Sequence, residues 1–263
     1  MRLFIELTKR SFQRQLTYRA ATFAGLATNF FFGMLRVAVM IALYGAQGEV
    51  NGLSLRGAIT FTGLTQALIG FLSLFGWYDL MNSIYTGAVA SDLLKPMEYF
   101  NFWLAQDLGR ALAQLVLRGF TIMAAYAVFI GITYPHGVEQ VVALIITLLL
   151  AWLLSFAWRF LVNLSGFWTP DARAIGRLGF VMLYFVTGFL MPLRFFPDWF
   201  VRLCDYTPFP YMVNTVVEVY LGVLKGPQLA LELMKQAAWA VILVLVCQWI
   251  LKYGVRRLVI QGG

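Results

Sequence analysis

Residues Val141–Trp152 read VVALIITLLLAW, a run with one polar side chain, Thr147, and no alternation of polar with apolar positions. A half-buried strand would alternate with period two, as would each strand of a membrane barrel, so this run fits an apolar helix. Lipid leaves no water to satisfy free backbone amides and carbonyls, and a chain of such runs must cross it as a helical bundle. Extended outward, the run becomes Val138–Val162, and five more stretches resemble it: Ala20–Tyr44, Leu55–Leu80, Ala111–Tyr134, Leu178–Leu193 and Leu229–Tyr253. About 20 helical residues cross the ~30 Å hydrocarbon core. The sequence therefore predicts an all-α integral membrane protein with six transmembrane helices in one domain, 1–263.

Composition agrees. Hydrophobic residues make up 61% of the 263 positions and charged residues 12%, against about a quarter charged in soluble domains, which excludes a water-soluble globular protein. The net charge of +8 would suggest nucleic acid in a soluble chain, but here its placement carries the meaning, and no nucleic-acid partner is expected. Arg2, Lys9, Arg10, Arg14 and Arg19 precede the first span, and Lys252, Arg256 and Arg257 follow the last. The positive-inside rule then puts both termini in the cytoplasm. The outer loop around Tyr134–Gln140 lacks Lys and Arg, and Arg159, Arg173 and Arg177 flank the inner loop that follows. Arg194, Arg202 and Lys225 in the third outer segment run against this trend, offset by Asp198, Asp205 and Glu218. Cys204 and Cys247 lie at different predicted depths, so they are expected to pack rather than to pair. The N-terminus does not read as a cleavable signal, because the apolar run behind its long polar region is of full spanning length.

Three segments outside the spans have their own pattern. In 1–19, Arg2, Glu6, Lys9, Arg10 and Gln13 share one helical arc while Leu3, Phe4, Ile5, Leu7, Phe12 and Leu16 lie outside it, which predicts an amphipathic interfacial helix or, more plainly, a basic topogenic flank. In 81–101, a polar cytosolic segment, a short helix should end before the Pro96 elbow; it suits protein docking, or it is an ordinary re-entry loop. In 192–226, four prolines within 19 residues, Pro192, Pro197, Pro208 and Pro210, exclude one continuous helix. Short helices over about Pro197–Cys204 and Pro210–Leu221 are expected to dip into the outer leaflet as re-entrant elements, with an aromatic belt as the alternative.

The sequence holds no phosphate-binding Gly-rich loop, no H-E-x-x-H and no paired-cysteine metal pattern. Its one histidine, His136, sits in a predicted loop as a surface residue, so neither catalytic residues, nor a metal, nor a cofactor bound by this chain is expected. Arg36 and Arg118 lie inside predicted spans, where an arginine lines a solvated cavity or a subunit interface, pairs structurally, or snorkels. Glu232 and Lys235, three apart, read as a local ion pair.

Taken together, the amphipathic first helix, the six spans, Gly87 followed by Leu93-Leu94-Lys95-Pro96, and Pro192…Phe196-Pro197-x-Trp199…Thr207-Pro208-Phe209…Gly222 resemble the permease subunit of type-2 ATP-binding-cassette transporters, most of all the bacterial drug and viologen exporter permeases. The resemblance covers the whole chain. It implies a non-catalytic subunit of the bacterial inner membrane that pairs with a second permease, identical or related, around a path for a hydrophobic or amphipathic substrate, drug or lipid-like. ATP would be used by a separate cytosolic ATPase subunit. On these motifs Thr86, Gly87, Asp92, Leu94, Lys95 and Pro96 match the ATPase-coupling region, while Arg36, Arg118, Trp199, Phe209 and Glu218 are candidates for the pathway or the subunit interface. A dicationic viologen fits poorly with arginines as the only charges deep in the spans, and would have to rely on aromatic faces. An ATPase-independent channel or carrier, or a membrane-anchoring subunit of a larger complex, stay open as alternatives.

Overall fold

The computed structural model describes residues 1–169 and 172–257. Helix α1 (Arg2–Thr17) leads into α2 (Arg19–Tyr44). A hairpin, β1 (Glu49–Val50) against β2 (Leu53–Ser54), then turns on Asn51-Gly52. Both turn residues have positive φ, 48° and 73°, as an Asn-Gly hairpin turn requires. After α3 (Leu55–Leu72) come two short helices, α4 (Asp79–Tyr85) and α5 (Val89–Leu93). Next, α6 (Tyr99–Gln114) continues through a π-helical turn, Leu115–Gly119, into α7 (Phe120–Phe129). The remaining helices are α8 (Val138–Leu164), α9 (Ala172–Val186), α10 (Asp198–Asp205), α11 (Asn214–Tyr220) and α12 (Gly226–Val255).

The protein is an all-α integral membrane protein. Among the described residues five helical stretches are long and apolar enough to span: Thr22–Tyr44, Leu55–Leu72, Tyr99–Phe129, Val138–Phe167 and Gly226–Val255. Of the stretch read as the fifth span, Leu178–Leu193, residues 178–186 belong to helix α9, and a turn follows at Gly188 (φ 75°). Two other expected boundaries move. The second span stops at Leu72, where Ser73 adopts a left-handed conformation, although Leu74, Phe75 and Trp77 keep the sequence apolar to Leu80. The third helix starts at Tyr99 rather than Ala111, and Asp107 and Arg110, which precede Ala111 in the chain, neutralise each other inside the bundle.

Long-range contacts sort the loops to two ends. Asn51 Nδ2 donates to the Arg194 carbonyl at 3.1 Å, and Gln140 Nε2 to that of Tyr220 at 2.6 Å, so the hairpin, the 130–137 loop and the 187–225 segment share one end. At the other, Asn163 Oδ1 accepts from the Met81 amide at 3.0 Å and Arg173 Nη2 donates to Asn82 Oδ1 at 2.8 Å. Helix α8 is central: Leu154, Phe156, Ala157 and Phe160 are fully buried, and residues of α3, α6, α9, α11 and α12 pack around it in one cluster. Cys247 Sγ lies 3.2 Å from the Ala157 carbonyl; Cys204 and Cys247 are free and buried.

Helix α1 is docked rather than only laid on a surface. Thr8 Oγ1 donates to the Ala105 carbonyl at 3.1 Å, Ser11 Oγ to that of Gln106 at 2.6 Å, and Gln114 Nε2 to Gln15 Oε1 at 3.2 Å, so α1 runs parallel to α6. A Cβ at Gly109 would collide with the Thr8 carbonyl oxygen; the missing side chain lets the two backbones touch. The docked stripe, Phe4, Leu7, Thr8, Ser11, Phe12 and Gln15, takes three of the six apolar residues that lie outside the polar arc. Arg2, Lys9, Arg10 and Arg14 stay exposed, with Leu3, Ile5 and Leu16.

Candidate functional site

At the end of the bundle that joins α3 to α6, the segment expected to form one short helix forms two, α4 and α5, hinged at Gly87. Its φ of 73° with open space beside it breaks the helix, since a left-handed residue cannot continue it. Asp92 holds the turn together: Oδ2 accepts from Ser83 Oγ at 2.8 Å and Oδ1 from Lys95 Nζ at 2.6 Å, while Lys95 also sits 3.8 Å from the centre of the Phe102 ring. Both charges expected to face a partner are thus engaged within the segment. What projects outward is Tyr85, Thr86, Gly87, Ala88, Lys95, Pro96 and above all Leu94, 87% exposed. Leu94 therefore stands clear of the rest of the chain, beside the Pro96 elbow.

Beneath it lies a cluster the sequence reading missed. Asp107 on α6 accepts from Arg159 Nη1 and Nη2, each at 2.9 Å, from Arg110 Nε at 2.8 Å and from Trp152 Nε1 at 2.9 Å. Arg110 spends its other nitrogens on the last turn of α3, Nη1 to the Gly70 carbonyl at 2.6 Å and Nη2 to that of Phe71 at 3.1 Å, and Ser155 Oγ donates to that of Leu72 at 2.6 Å. These carbonyls lack intrahelical partners, and the guanidinium satisfies them while complementing the negative helix end. Arg159, read as flanking a loop, is therefore fully buried, and arginines are not the only charges inside the bundle. The signal present in the sequence is the spacing of three between Asp107 and Arg110, which puts opposite charges on one helix face.

A second polar line runs along one face of α2 through Gly25, Asn29, Gly33 and Arg36. The Arg118 guanidinium, carried by the π-helical turn, occupies the space a side chain at Gly25 would need, and the Tyr126 hydroxyl does so at Gly33. Across from them, a Cβ at Gly63 on α3 would come within 2.6 Å of Tyr126 Cδ1; Tyr126 is clasped between two glycine gaps. Arg36 Nη1 donates to Thr65 Oγ1 at 3.1 Å and Nη2 to the Leu190 carbonyl at 2.6 Å, with the guanidinium 4.9 Å from the Phe189 ring centre. It ties α2 to α3 and to the turn after α9.

At the opposite end, α10 and α11 occupy the proline-broken segment. Helix α10 is exposed, with Trp199 69% accessible. Helix α11 is inserted, its Val216, Val217 and Val219 buried. Phe209 packs edge to face on Trp158 at 5.0 Å, and Glu218 Oε1 takes Arg194 Nη2 at 2.8 Å. Glu232 and Lys235 pair at 2.8 Å. Asp205, Glu218 and Glu232 line a polar cavity of about 200 Å³ with Arg194, Asn214 and Tyr211. A wider one of about 410 Å³ adjoins it at Asp205 and Tyr211, with Arg202, Lys235 and Trp239. Burial, then the neighbouring Glu232, push the Asp205 carboxyl above its usual pKa, with Lys235 acting against them. Of the pathway and interface candidates, then, Arg36 and Arg118 share the α2 face, while Trp199, Phe209 and Glu218 lie with the opposite-end segment and are not drawn together. Among the described residues no group of three or more His, Cys, Asp or Glu could hold a metal; His136 is exposed.

A family model described as "ABC-2 family transporter protein" matches residues 30–262, from the middle of α2 to the C-terminus. No curated protein matches the chain.

Proposed function

The chain belongs to the ABC-2 transporter family and is an ABC transporter permease of the membrane, and from that premise we propose that it exports a hydrophobic or amphipathic substrate, drug or lipid-like. In this reading two permeases share the path, both termini face the cytosol, the membrane is a bacterial inner membrane, and separate ATPase subunits supply the energy. The permease itself does not hydrolyse ATP. One observation carries the coupling role: the α4–α5 hinge presents Leu94 and the Pro96 elbow from a base clamped by Ser83, Asp92 and Lys95, so force applied there passes directly to α3 and α6. The Asp107 cluster joins those two helices to α8, so these would move together. The path for substrate is assigned to the α2 side, where Arg36, Arg118 and Tyr126 set polar groups into an otherwise apolar face, and its exit to the cavities around Glu218 and Asp205 beside Trp199 and Phe209. The test is co-purification from native membranes with an ATPase subunit. Nucleotide turnover should appear only in the complex and should be lost, with insertion intact, when 86–96 becomes a Gly/Ser linker. Turnover by the isolated chain, or assembly unaffected by the linker, would overturn the proposal.

A further inference from the structure

Helix α12 carries a stripe that changes character along its length. Ile242, Leu245 and Trp249 are exposed, followed by Tyr253 and then by Arg256 just past the helix, at spacings of three or four that keep them on one face. Apolar surface thus gives way to amphipathic rings and then to cation. That last part borders a cavity of about 420 Å³, walled by Trp168, Trp249, Ile250, Tyr253, Arg256 and Arg257. The walls are set by packing: a Cβ at Gly254 would come within 2.6 Å of Phe167 Cδ2 and 3.1 Å of Trp168 Cη2, so the glycine brings the turn after α8 against α12. Trp249 and Tyr253 meet edge to face at 5.2 Å, and the Arg256 guanidinium lies 5.5 Å from the Tyr253 ring centre. Among the described residues no carboxylate lines this cavity, whereas Asp205 lines both of the polar cavities described at the opposite end.

We propose that this cavity binds the headgroup of an anionic phospholipid, with its phosphate on Arg256 and Arg257, its glycerol region against Trp249 and Tyr253, and an acyl chain along Leu245 and Ile242. Two guanidiniums with no carboxylate among the described lining residues call for an anion, and phosphate accepts their forked donors well. The apolar stripe leading directly into the site selects a lipid over free phosphate. Tryptophan and tyrosine favour the depth where headgroup meets chain. The lipid would bridge the loop after α8 and the end of α12. The site does not depend on which side of the membrane the termini occupy, nor on the transported substrate.

The test uses the full chain in nanodiscs of phosphatidylcholine with or without phosphatidylglycerol, read by native mass spectrometry and thermal unfolding. The wild type should retain phosphatidylglycerol after detergent extraction and melt higher when it is present. R256Q/R257Q should lose both effects, W249L should weaken them, and R173Q/R177Q, at the same end, should keep them. W249L carries the test if the double variant fails to fold. Retention of phosphatidylglycerol by both site variants would overturn the proposal, as would stabilisation by inorganic phosphate in pure phosphatidylcholine, which would make it a soluble-anion site. Loss of ATPase co-purification with lipid retention unchanged would reassign the surface to a protein partner.

Discussion

Asp107 and Arg159 are joined by two parallel hydrogen bonds of 2.9 Å, Nη1 to Oδ1 and Nη2 to Oδ2, with side-chain accessibilities of 0% and 1%. Fork-to-fork pairing of this kind is the strongest ionic geometry two side chains can form, yet both ions have been removed from solvent, so the pair stabilises little compared with an apolar replacement. The informative experiment is to break it from one side. Arg159→Met leaves Asp107 with Arg110 and Trp152 only, and should cost about 3–5 kcal/mol. Asp107→Leu with Arg159→Met should recover part of that loss, read as the unfolding midpoint in detergent. Equal losses for the single and double variants would show that packing, not charge, fixes this junction.

Tyr126 tests the α2 seam. Among the described residues its hydroxyl is buried without a hydrogen-bond partner, a state that costs roughly 1–3 kcal/mol, so Tyr126→Phe should leave thermal stability unchanged or raise it. Gly33→Leu should lower it, because the new side chain and the hydroxyl claim the same space. If instead Tyr126→Phe destabilises by more than about 1 kcal/mol, the hydroxyl has a bonded partner in the membrane.

Arg118 and Gly25 interlock in the same way. Gly25→Ala should push the guanidinium aside, and under the proposed path it should change transport in the same direction as Arg118→Leu, with expression retained. Vesicle transport of an amphipathic anion and of a permanent cation, compared between the two variants, checks this. Opposite effects would separate the glycine from the arginine.

At the hinge, Lys95→Ala should be mild, since a partly exposed pair contributes about 0–1 kcal/mol, whereas Leu94→Asp should sharply reduce ATPase co-purification without altering insertion. The reverse order, a severe Lys95 variant with Leu94 tolerant, would mean that the docking contact is ionic.

Asp205 is largely exposed, and partial burial first and Glu232 next push its carboxyl above the usual pKa, an effect that solvent screening keeps small. Its protonated form therefore favours folding, a contribution fully present below the unfolded pKa and lost as pH rises through the folded one. At neutral pH Asp205→Asn should stabilise, with Glu232, Lys235 and Arg202 around the site unchanged, and its advantage should shrink as pH falls below the raised value. A growing advantage toward acid would reverse the sign.

Much was legible in the sequence because lipid enforces it. An unbroken run such as Val141–Trp152 must satisfy its own backbone, and prolines at 192, 197, 208 and 210 must break a helix, whatever surrounds them. Hence the helical bundle, the two short helices near Pro197 and Pro210, and the Glu232–Lys235 pair could be read locally. The Asp107 cluster could not: residues 107 and 159 are brought together only when α6 and α8 pack, and their charges, read singly, mimic loop boundaries and shorten the apparent spans. Leu94 and Tyr126 illustrate the same limit in opposite senses. Both look like ordinary apolar or aromatic positions in sequence; folding strands the first in the open beyond the Gly87 turn and closes the second between glycines of two other helices. Periodicity and backbone satisfaction are properties of a segment, so the sequence by itself determined the membrane class and the breaks that its prolines force. Burial, charge neutralisation and exposure are properties of pairs distant in the chain, and those only the tertiary structure decided.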